Sequence, residues 1–347
     1  MARDHGFHEI RVTRVIQETP DTRSYVLDAP FSYRAGQFVT FRLCGTLRSY
    51  SMSSSPDSDA ELMTTVKRVP GGLVSNWLHD NLAAGDAVEV TAPAGVFCLR
   101  ERAEPMVAFA GGSGITPIIS LAKSALASTD RRVRVLTANR DAESVIFRAA
   151  LEELAERYPG RLEVRHHLDV VSGLVTPSEV LDFADPDLGA DFYLCGPAAF
   201  MDLIERALLA RGVDGEQVFV ERFSVADEAA DVTASVAAGE AAAAAAGAAG
   251  AAETEAGGTI TIVLAGKRHS IARQPGLTLL QSARRAGLTP PFSCEAGNCA
   301  TCIGQLIEGE VKMRVNNALD DDEIADGWVL TCQSEPVTPD VTVVYED

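Results

Sequence analysis

Four cysteines in the last sixty residues constrain this chain more than any other feature of its sequence. Cys294, Cys299 and Cys302 fall within a stretch of nine residues, and Cys332 follows after 29 further residues. The chain holds seven cysteines in all, and its first residues lack the apolar segment of a secretory signal. An odd count in such a chain argues against a secreted disulfide framework. We therefore expect the four clustered thiols to bind metal.

The spacing of these thiols distinguishes between metals. Cys294-x4-Cys299-x2-Cys302, closed by a distant fourth cysteine, is the plant-type pattern for a [2Fe–2S] cluster. Small residues between the ligands, such as Gly297 and Ala300, let backbone N–H groups turn toward the sulfur atoms. A tetrahedral zinc site is the alternative, but zinc usually takes ligands in paired short spacings. The pattern favours a [2Fe–2S] cluster.

The residues around the ligands resemble a known domain family. Residues 291–302, Pro-Phe-Ser-Cys-Glu-Ala-Gly-Asn-Cys-Ala-Thr-Cys, and residues 330–333, Leu-Thr-Cys-Gln, are similar to plant-type ferredoxins. This resemblance implies a β-grasp fold for a [2Fe–2S] ferredoxin domain over 259–347. Ala300 stands where the family often has glycine, which is tolerable if the backbone φ angle there is not positive.

A stretch of unusual composition precedes this domain. Residues 224–258 contain six acidic residues, no Lys or Arg, no aromatic residue and an unbroken alanine run at 241–246. Such a segment lacks the apolar variety that a core needs, so we predict an Ala-rich acidic linker.

The whole chain is acidic, with a formal net charge of −19 and a pI near 4.7. This charge disfavours nucleic acid and anionic membrane surfaces as partners. No apolar run approaches the roughly 18 residues of a spanning helix. We therefore predict a cytoplasmic protein with no membrane insertion and no nucleic acid partner.

The residues before the linker show two successive patterns. In 1–102, short β-rich runs alternate with turn signals, which predicts an antiparallel β-barrel. In 103–223, strands alternate with helices, which predicts an α/β domain with a parallel sheet. The predicted strands are Ile10–Gln17, Thr22–Asp28, Gln37–Leu43, Glu61–Val69 and Ala87–Ala92 in the first part, and Met106–Ala110, Arg132–Ala138, Leu162–His167 and Asp191–Cys195 in the second. Together with the ferredoxin-like part, they indicate a multidomain protein.

Two motifs in the barrel part carry groups suited to a flavin. Arg48-Ser49-Tyr50-Ser51 offers a guanidinium for a diphosphate, a phenol ring for the isoalloxazine and a hydroxyl for its N5. Val66-Lys67 ends a strand, and Gly71-Gly72-Leu73-Val74-Ser75 then opens a helix whose first N–H groups can hold phosphate. Each motif alone is equally typical of a barrel rim or of a plain loop before a helix.

Two further motifs lie in the α/β part. The predicted strand Met106–Ala110 runs into a glycine turn, of which Gly112, Gly114, Thr116 and Pro117 are the candidate dinucleotide-binding residues. Cys195-Gly196-Pro197 ends a later strand, at the sheet edge where α/β domains bind ligands. A glycine turn by itself is weak evidence, and Pro117 replaces the last glycine of the usual dinucleotide fingerprint.

The ordered set of four motifs resembles the ferredoxin–NADP reductase superfamily over most of residues 8–223. The resemblance implies that Arg48–Ser51 stacks on and anchors FAD, with Ser51 assisting at N5. It implies further that Gly71–Ser75, together with Val66 and Lys67, holds the FAD diphosphate. It also implies that Gly112–Pro117 binds NAD(P)H and that Cys195 lies at the nicotinamide. FMN-dependent relatives share Arg-x-Tyr-Ser, and the Gly71–Ser75 turn favours FAD.

The sequence also suggests roles for three further groups of residues. Relatives place a carboxylate and an aromatic ring near the flavin where Glu221 and Phe223 stand here, although a plain final strand explains both residues equally well. Cys44 and Cys98 are predicted to be small core residues. Arg140 suits a 2′-phosphate and Asp141 opposes one, so we expect NADH as the donor, with NADPH as the alternative.

The order of flavin barrel, nicotinamide domain and ferredoxin domain resembles the reductase components of multicomponent oxygenases, and most closely those of the 3-ketosteroid 9α-hydroxylase type. The resemblance implies an oxidoreductase in which FAD takes a hydride from NADH and passes single electrons through the cluster to a Rieske or di-iron oxygenase component. Reductases for a phenylacetyl-CoA epoxidase, a fatty-acyl desaturase or a cytochrome P450 are alternatives with identical motifs. A non-enzymatic iron–sulfur redox sensor is a further alternative, which the two intact nucleotide motifs oppose.

Overall fold

The computed structural model describes residues 7–223, 258–264, 266–288, 290–292, 297, 301–316, 318–319 and 321–345. The chain divides into two compact units, Gly6–Thr233 and Ala234–Asp347 with Met1–His5. The predicted linker, apart from Gly258, lies outside the described residues. In the part of the chain that the structure describes, no helix is both long and apolar enough to cross a bilayer.

The first unit begins with a six-stranded antiparallel sheet in the order β4-β3-β6-β1-β2-β5. A bridge between Met52, just after β4, and Thr64, in β5, joins the two outer strands and closes the sheet at that end. Tyr25, Phe41 and Leu78 are completely buried inside it. The predicted antiparallel barrel is therefore confirmed. Its elements are β1 (Phe7–Thr19), β2 (Thr22–Asp28), β3 (Phe38–Leu43), β4 (Thr46–Ser51), β5 (Leu62–Lys67), α1 (Leu73–Asn81) and β6 (Ala87–Thr91).

The β3–β4 hairpin determines the positions of two features considered in the sequence. Arg48–Ser51 follows the strand predicted over 37–43 and belongs to the next strand, β4, because Leu43 pairs with Thr46 across a two-residue loop. Cys44 and Gly45 form this loop with φ angles of 55° and 70°, as a tight hairpin requires. Cys44 is therefore exposed, and the prediction that it belongs to the core was wrong.

A five-stranded parallel sheet follows in the same unit, in the order β11-β10-β7-β8-β9. The chain leaves the central strand β7 toward β8 and β9 and later returns to its other side as β10, so a topological switch point lies between β7 and β10. Hydrophobic clusters cover both faces. The elements are β7 (Met106–Gly111), a 3₁₀ turn (Gly112–Gly114), α2 (Ile115–Ser128), β8 (Val133–Asn139), α3 (Arg148–Arg157), β9 (Leu162–Leu168), α4 (Asp169–Ser172), α5 (Pro177–Ala184), a 3₁₀ turn (Asp185–Asp187), β10 (Asp191–Cys195), α6 (Ala198–Arg211), a 3₁₀ turn (Gly215–Gln217) and β11 (Val218–Glu221).

Helix α2 connects the parallel sheet to the barrel through hydroxyl groups. Ser120 Oγ donates to the carbonyl oxygen of Ser54 at 2.6 Å, and Ser124 Oγ lies 2.7 Å from Ser55 Oγ in a buried hydrogen bond. Ser54 and Ser55 come shortly after β4, and the glycine turn immediately precedes α2. These bonds therefore hold the glycine turn at a set position relative to β4.

The second unit contains a five-stranded mixed sheet in the order β13-β12-β18-β14-β16, in which β12 and β18 are parallel. Thr278 and Gln281 form a capping box at the start of α7, which packs on the sheet through Leu279 and Ala283. This arrangement is the predicted β-grasp fold. The elements are β12 (Thr259–Leu264), β13 (Lys267–Ala272), α7 (Leu279–Arg285), β14 (Ile303–Glu308), β15 (Val311–Met313), α8 (Asp321–Ala325), β16 (Trp328–Leu330), β17 (Ser334–Pro336) and β18 (Val341–Val344), with β15 and β17 forming a small separate sheet.

Candidate active site

The glycine turn after β7 and the Cys-Gly-Pro turn after β10 pack against each other backbone to backbone. A Cβ atom added at Gly114 would lie 2.1 Å from the carbonyl oxygen of Cys195. A Cβ at Gly111 would lie 2.7 Å from Cδ of Pro197, and one at Gly196 would lie 2.9 Å from Cα of Gly111. Only hydrogen fits at these positions, so the two predicted motifs form one continuous surface at the switch point.

This surface has groups suited to a diphosphate. Among the described residues, no side chain caps the 3₁₀ turn that begins at Gly112 or helix α2 that follows it. Lys67 Nζ lies 3.7 Å from the position that a Cβ atom on Gly112 would occupy. Thr116 Oγ1 donates to the carbonyl oxygen of Ser113 at 2.7 Å, and Pro117 lies in the first turn, where no intrahelical bond needs its missing N–H. Uncapped N–H groups beside an ammonium group attract phosphate.

Strand β4 carries the four residues predicted to meet a flavin. Successive side chains on a strand point to opposite faces, so Arg48 and Tyr50 share one face and Ser49 and Ser51 share the other. The ring of Tyr50 lies edge-on to Phe41, with centroids 5.6 Å apart. Arg48 is half-buried, and Ser51 is almost fully buried. The structure thus places a guanidinium and a phenol ring side by side, as the first flavin motif requires.

The second predicted flavin motif forms the start of α1. Ser75 Oγ accepts a hydrogen bond from the backbone N–H of Val69 at 3.2 Å, which closes the preceding turn. A Cβ atom at Gly72, the residue before the helix, would lie 2.6 Å from Ser75 Oγ. Val74 is buried in the barrel, whereas Leu73 is 59% exposed. The turn therefore presents backbone and one apolar side chain outward, a shape that fits the approach of a diphosphate to the first N–H groups of the helix.

Cys195 and Glu221 lie side by side on neighbouring strands, since they are register partners in the parallel pair β10 and β11. Complete burial, followed by the charge of Glu221, raises the pKa of the Cys195 thiol well above its ordinary value. Burial is also the main cause of the raised pKa of Cys98. Phe223 packs on the core cluster that contains Cys195. Cys195 is therefore a neutral thiol at neutral pH and lacks the thiolate character of a nucleophile.

We expect alkylation of the native protein near neutral pH to separate these thiols. Iodoacetamide should modify the exposed Cys44 and leave Cys98 and Cys195 unmodified, because both are buried and their raised pKa values keep them protonated. Peptide mass mapping measures this, with urea-unfolded protein as the control in which all three react. Modification of Cys195 as fast as that of Cys44 would contradict the assignment.

The segment after β8 was predicted to contact the adenosine ribose. Its two charged residues, Arg140 and Asp141, have different roles in the structure. Asp141 Oδ1 accepts from the backbone N–H of Ser144 at 2.9 Å, and Ser144 Oγ donates to the carbonyl oxygen of Asp141 at 2.9 Å. Hydrogen bonding to the carboxylate, first from the Ser144 backbone and then from the Ser144 side chain, lowers the pKa of Asp141. Arg140 points outward with its side chain 70% exposed. The Asp141 carboxylate thus closes a turn, whereas the Arg140 guanidinium is accessible to a ligand.

The described residues of the second unit include two of the four predicted cluster ligands. Cys302 and Cys332 are both buried and belong to one apolar cluster with Leu280 and Leu330. The other two predicted ligands, Cys294 and Cys299, lie outside the described residues. Two thiols in one dry cluster fit a [2Fe–2S] group, whose ligands are thiolates shielded from water.

A layer of hydrogen bonds surrounds these two cysteines, and sequence reasoning did not identify it. Tyr345 donates from its hydroxyl to Thr331 Oγ1 at 2.8 Å, and Thr331 Oγ1 donates to the carbonyl oxygen of Cys302 at 2.8 Å. Gln333 Nε2 donates to Cys332 Sγ at 3.6 Å. Burial raises the pKa of Tyr345, so its hydroxyl remains a donor. Bonds of this kind orient ligands and adjust the reduction potential of a cluster.

Comparisons with known proteins point to the same three components. Three family models match the chain: an oxidoreductase FAD-binding domain over 9–98, an oxidoreductase NAD-binding domain over 108–206 and a 2Fe-2S iron-sulfur cluster binding domain over 262–337. These matches confirm the predicted FAD, nicotinamide and [2Fe–2S] cofactors.

Full-length relatives share this composition. The chain is 38% identical over 353 residues to the ferredoxin reductase component of 3-ketosteroid-9-alpha-monooxygenase from Mycolicibacterium smegmatis, covering 98% of this chain and 97% of the relative. It is 33% identical to the glycine betaine monooxygenase reductase subunit of Pseudomonas aeruginosa, covering 98% and 96%. The solved structure of phthalate dioxygenase reductase matches with 25% identity and a TM-score of 0.59, covering 98% of both chains. The chain therefore belongs to the family of monooxygenase reductase components, which are oxidoreductases that combine an FAD-binding, an NAD-binding and a [2Fe–2S] domain.

Proposed function

We propose that this protein takes hydride from NADH and delivers single electrons to a Rieske oxygenase component of the 3-ketosteroid 9α-hydroxylase type. The observation that carries this proposal is the 38% identity to such a reductase component, which extends over 98% of the chain. The proposal assigns residues 1–102 to FAD, 103–223 to the nicotinamide nucleotide, 224–258 to the linker and 259–347 to the cluster. It also places the protein in the cytoplasm, where NADH is available.

The barrel residues would hold FAD in this scheme. Arg48 would pair with the flavin diphosphate and Tyr50 would lie against the ring system, while Ser49 and Ser51 would offer hydroxyls from the other face of β4. Val66 and Lys67 end β5 beside this site, and Gly71–Ser75 presents the N–H groups of α1 to the diphosphate. When bound, FAD accepts an electron pair as hydride, and the [2Fe–2S] cluster accepts electrons one at a time.

The residues at the switch point would position the nicotinamide nucleotide. Gly112, Gly114, Thr116 and Pro117 form the turn that receives its diphosphate, assisted by the Lys67 ammonium near Gly112. The turn Cys195–Pro197 forms the adjoining wall. Because the Cys195 thiol is protonated and fully buried, it excludes water there without adding a charge. Glu221 and Phe223 complete the wall from the end of the last strand.

Cys294, Cys299, Cys302 and Cys332 would hold the cluster. Gln333 and Thr331 stabilise the last two ligands through the bonds described above. The bond from Gln333 to Cys332 Sγ bears on how readily the site accepts an electron, because a donor to a ligand sulfur favours the more negatively charged state.

A visible spectrum combined with a reconstituted assay tests the proposal. The purified protein should show flavin and [2Fe–2S] absorption bands that bleach when NADH is added without oxygen. It should support hydroxylation of a 3-ketosteroid by a purified Rieske oxygenase only when NADH is present. A colourless or zinc-containing protein would contradict the cofactor assignment. Bleaching without support of that oxygenase would contradict the proposed partner.

A further inference from the structure

The turn between β1 and β2 of the barrel reaches two cations of the nucleotide site. Asp21 Oδ2 lies 3.7 Å from Arg140 Nη2 and 4.0 Å from Lys67 Nζ. Its other oxygen, Oδ1, accepts hydrogen bonds from Thr19 Oγ1 at 2.7 Å and Thr22 Oγ1 at 3.2 Å. The two threonines therefore orient the carboxylate toward the cations. Asp21 itself is about one third exposed, so a ligand can reach it.

The two cations lie where two different parts of a dinucleotide would bind. Lys67 lies beside Gly112, where the diphosphate would bind. Arg140 directly follows β8, the neighbour of the central strand β7, and in sheets of this kind the adenosine ribose lies at that edge. Asp21 therefore lies between the diphosphate position and the 2′ position of the ribose.

The neighbouring carboxylate that the sequence suggested for this position has another role. Asp141 closes its own turn through Ser144, so its oxygen Oδ1 is already engaged. In nicotinamide-binding sheets, a carboxylate that accepts from the ribose 2′-hydroxyl favours NADH, whereas an accessible arginine favours the 2′-phosphate of NADPH. Here the arginine is present and accessible, and the carboxylate in contact with it comes from the barrel.

We propose that Asp21 is the residue that selects NADH over NADPH. Its carboxylate accepts a hydrogen bond from the ribose 2′-hydroxyl, offsets the charge of Arg140 and repels a 2′-phosphate. This inference rests on the proposed function, because it assumes that the switch point binds a nicotinamide dinucleotide. Asp21 is a specificity-determining residue, and it takes no part in hydride transfer.

The test is Asp21→Asn, which keeps the size of the side chain and the acceptor for Thr19 and Thr22 but removes the charge. We expect the ratio of kcat/KM for NADPH to that for NADH to rise by about 10- to 100-fold. Removing a negative charge beside a bound phosphate strengthens the binding of that phosphate by about this factor. The dissociation constant of 2′,5′-ADP should fall relative to that of 5′-AMP by a similar factor. Adding Arg140→Ala to Asp21→Asn should reverse most of this gain.

The matched control is Asp28→Asn, because Asp28 is exposed to solvent at the far end of β2, the strand that begins directly after Asp21. It removes the same charge at roughly 20 Å from Asp21, so an unchanged donor ratio there shows that the effect is local. Wild-type protein offers a test that needs no variant: it should bind 5′-AMP more tightly than 2′,5′-ADP. The reverse order, or an unchanged donor ratio in an active Asp21→Asn protein, overturns the inference. Wild-type protein that binds both nucleotides as expected but transfers no electrons from NADH contradicts the proposed function instead.

Discussion

Cys302→Ser is expected to abolish electron output while leaving the flavin half of the protein active. Cys302 is buried in the same apolar cluster as Cys332, and removing its thiolate leaves the iron–sulfur cluster with three of its four sulfur ligands. We expect loss of the [2Fe–2S] absorption and of the electron paramagnetic resonance signal after reduction. Reduction of cytochrome c, a one-electron protein acceptor, should fall by at least about 100-fold. Without the [2Fe–2S] cluster, no group is positioned to carry electrons from the flavin to this acceptor. Reduction of ferricyanide by NADH should remain, since this small acceptor can take electrons from the flavin.

The matched control is Cys44→Ser, which changes an exposed thiol in a hairpin loop and should alter neither activity. Iron analysis and the flavin-to-protein ratio must accompany both variants. Loss of ferricyanide reduction in a folded, flavin-replete Cys302→Ser protein would contradict the division of work between the two units. Retention of the wild-type [2Fe–2S] absorption and electron paramagnetic resonance signals would contradict the assignment of Cys302 as a ligand, because loss of a ligand sulfur must change both.

Features with local causes could be predicted from the sequence. The cysteine spacing reflects how three thiolates wrap one cluster, and the glycine turn after Met106–Gly111 reflects how closely backbone must approach phosphate. The barrel and the parallel sheet were predictable for a similar reason, because alternation of short strands and alternation of strands with helices are visible along the chain. The fold class and the cofactors follow from such patterns.

Features that depend on distant contacts could not be predicted. Asp21 lies in an ordinary turn, and only the folded chain brings it to Arg140, which is 119 positions later. The bonds from Tyr345 through Thr331 to Cys302 likewise join parts of the chain that no motif connects. The predicted burial of Cys44 was wrong because it was inferred from residue type. Its position in a two-residue hairpin loop determines that the side chain is exposed. In each case the register of a strand or turn, and not the residue type, determines the role.

We expect Gly114→Ala to destabilise the protein and to slow flavin reduction, because the two turns at the switch point are in close contact. Gly114 has φ of −60° and ψ of −14°, which any residue can adopt, so the only cost of Gly114→Ala is steric. The new Cβ would lie 2.1 Å from the carbonyl oxygen of Cys195 and 2.7 Å from the backbone nitrogen of Gly196, and neither backbone atom can rotate away. The start of α2 and the end of β10 must therefore separate, at a cost to the free energy of unfolding of about 1–3 kcal/mol.

We expect this separation to slow flavin reduction by NADH about 100-fold, because a displacement of about 1 Å between a hydride donor and its acceptor has an effect of that size. Anaerobic rapid mixing with NADH measures the rate, and complete bleaching by dithionite verifies that the flavin is present and reducible. Gly189→Ala is the control in the same domain, since nothing lies within 4 Å of its added Cβ. Its flavin should be reduced at the wild-type rate. A wild-type rate in Gly114→Ala as well would mean that the contact between the turns does not position the nicotinamide, and that the hydride site lies elsewhere on the sheet edge.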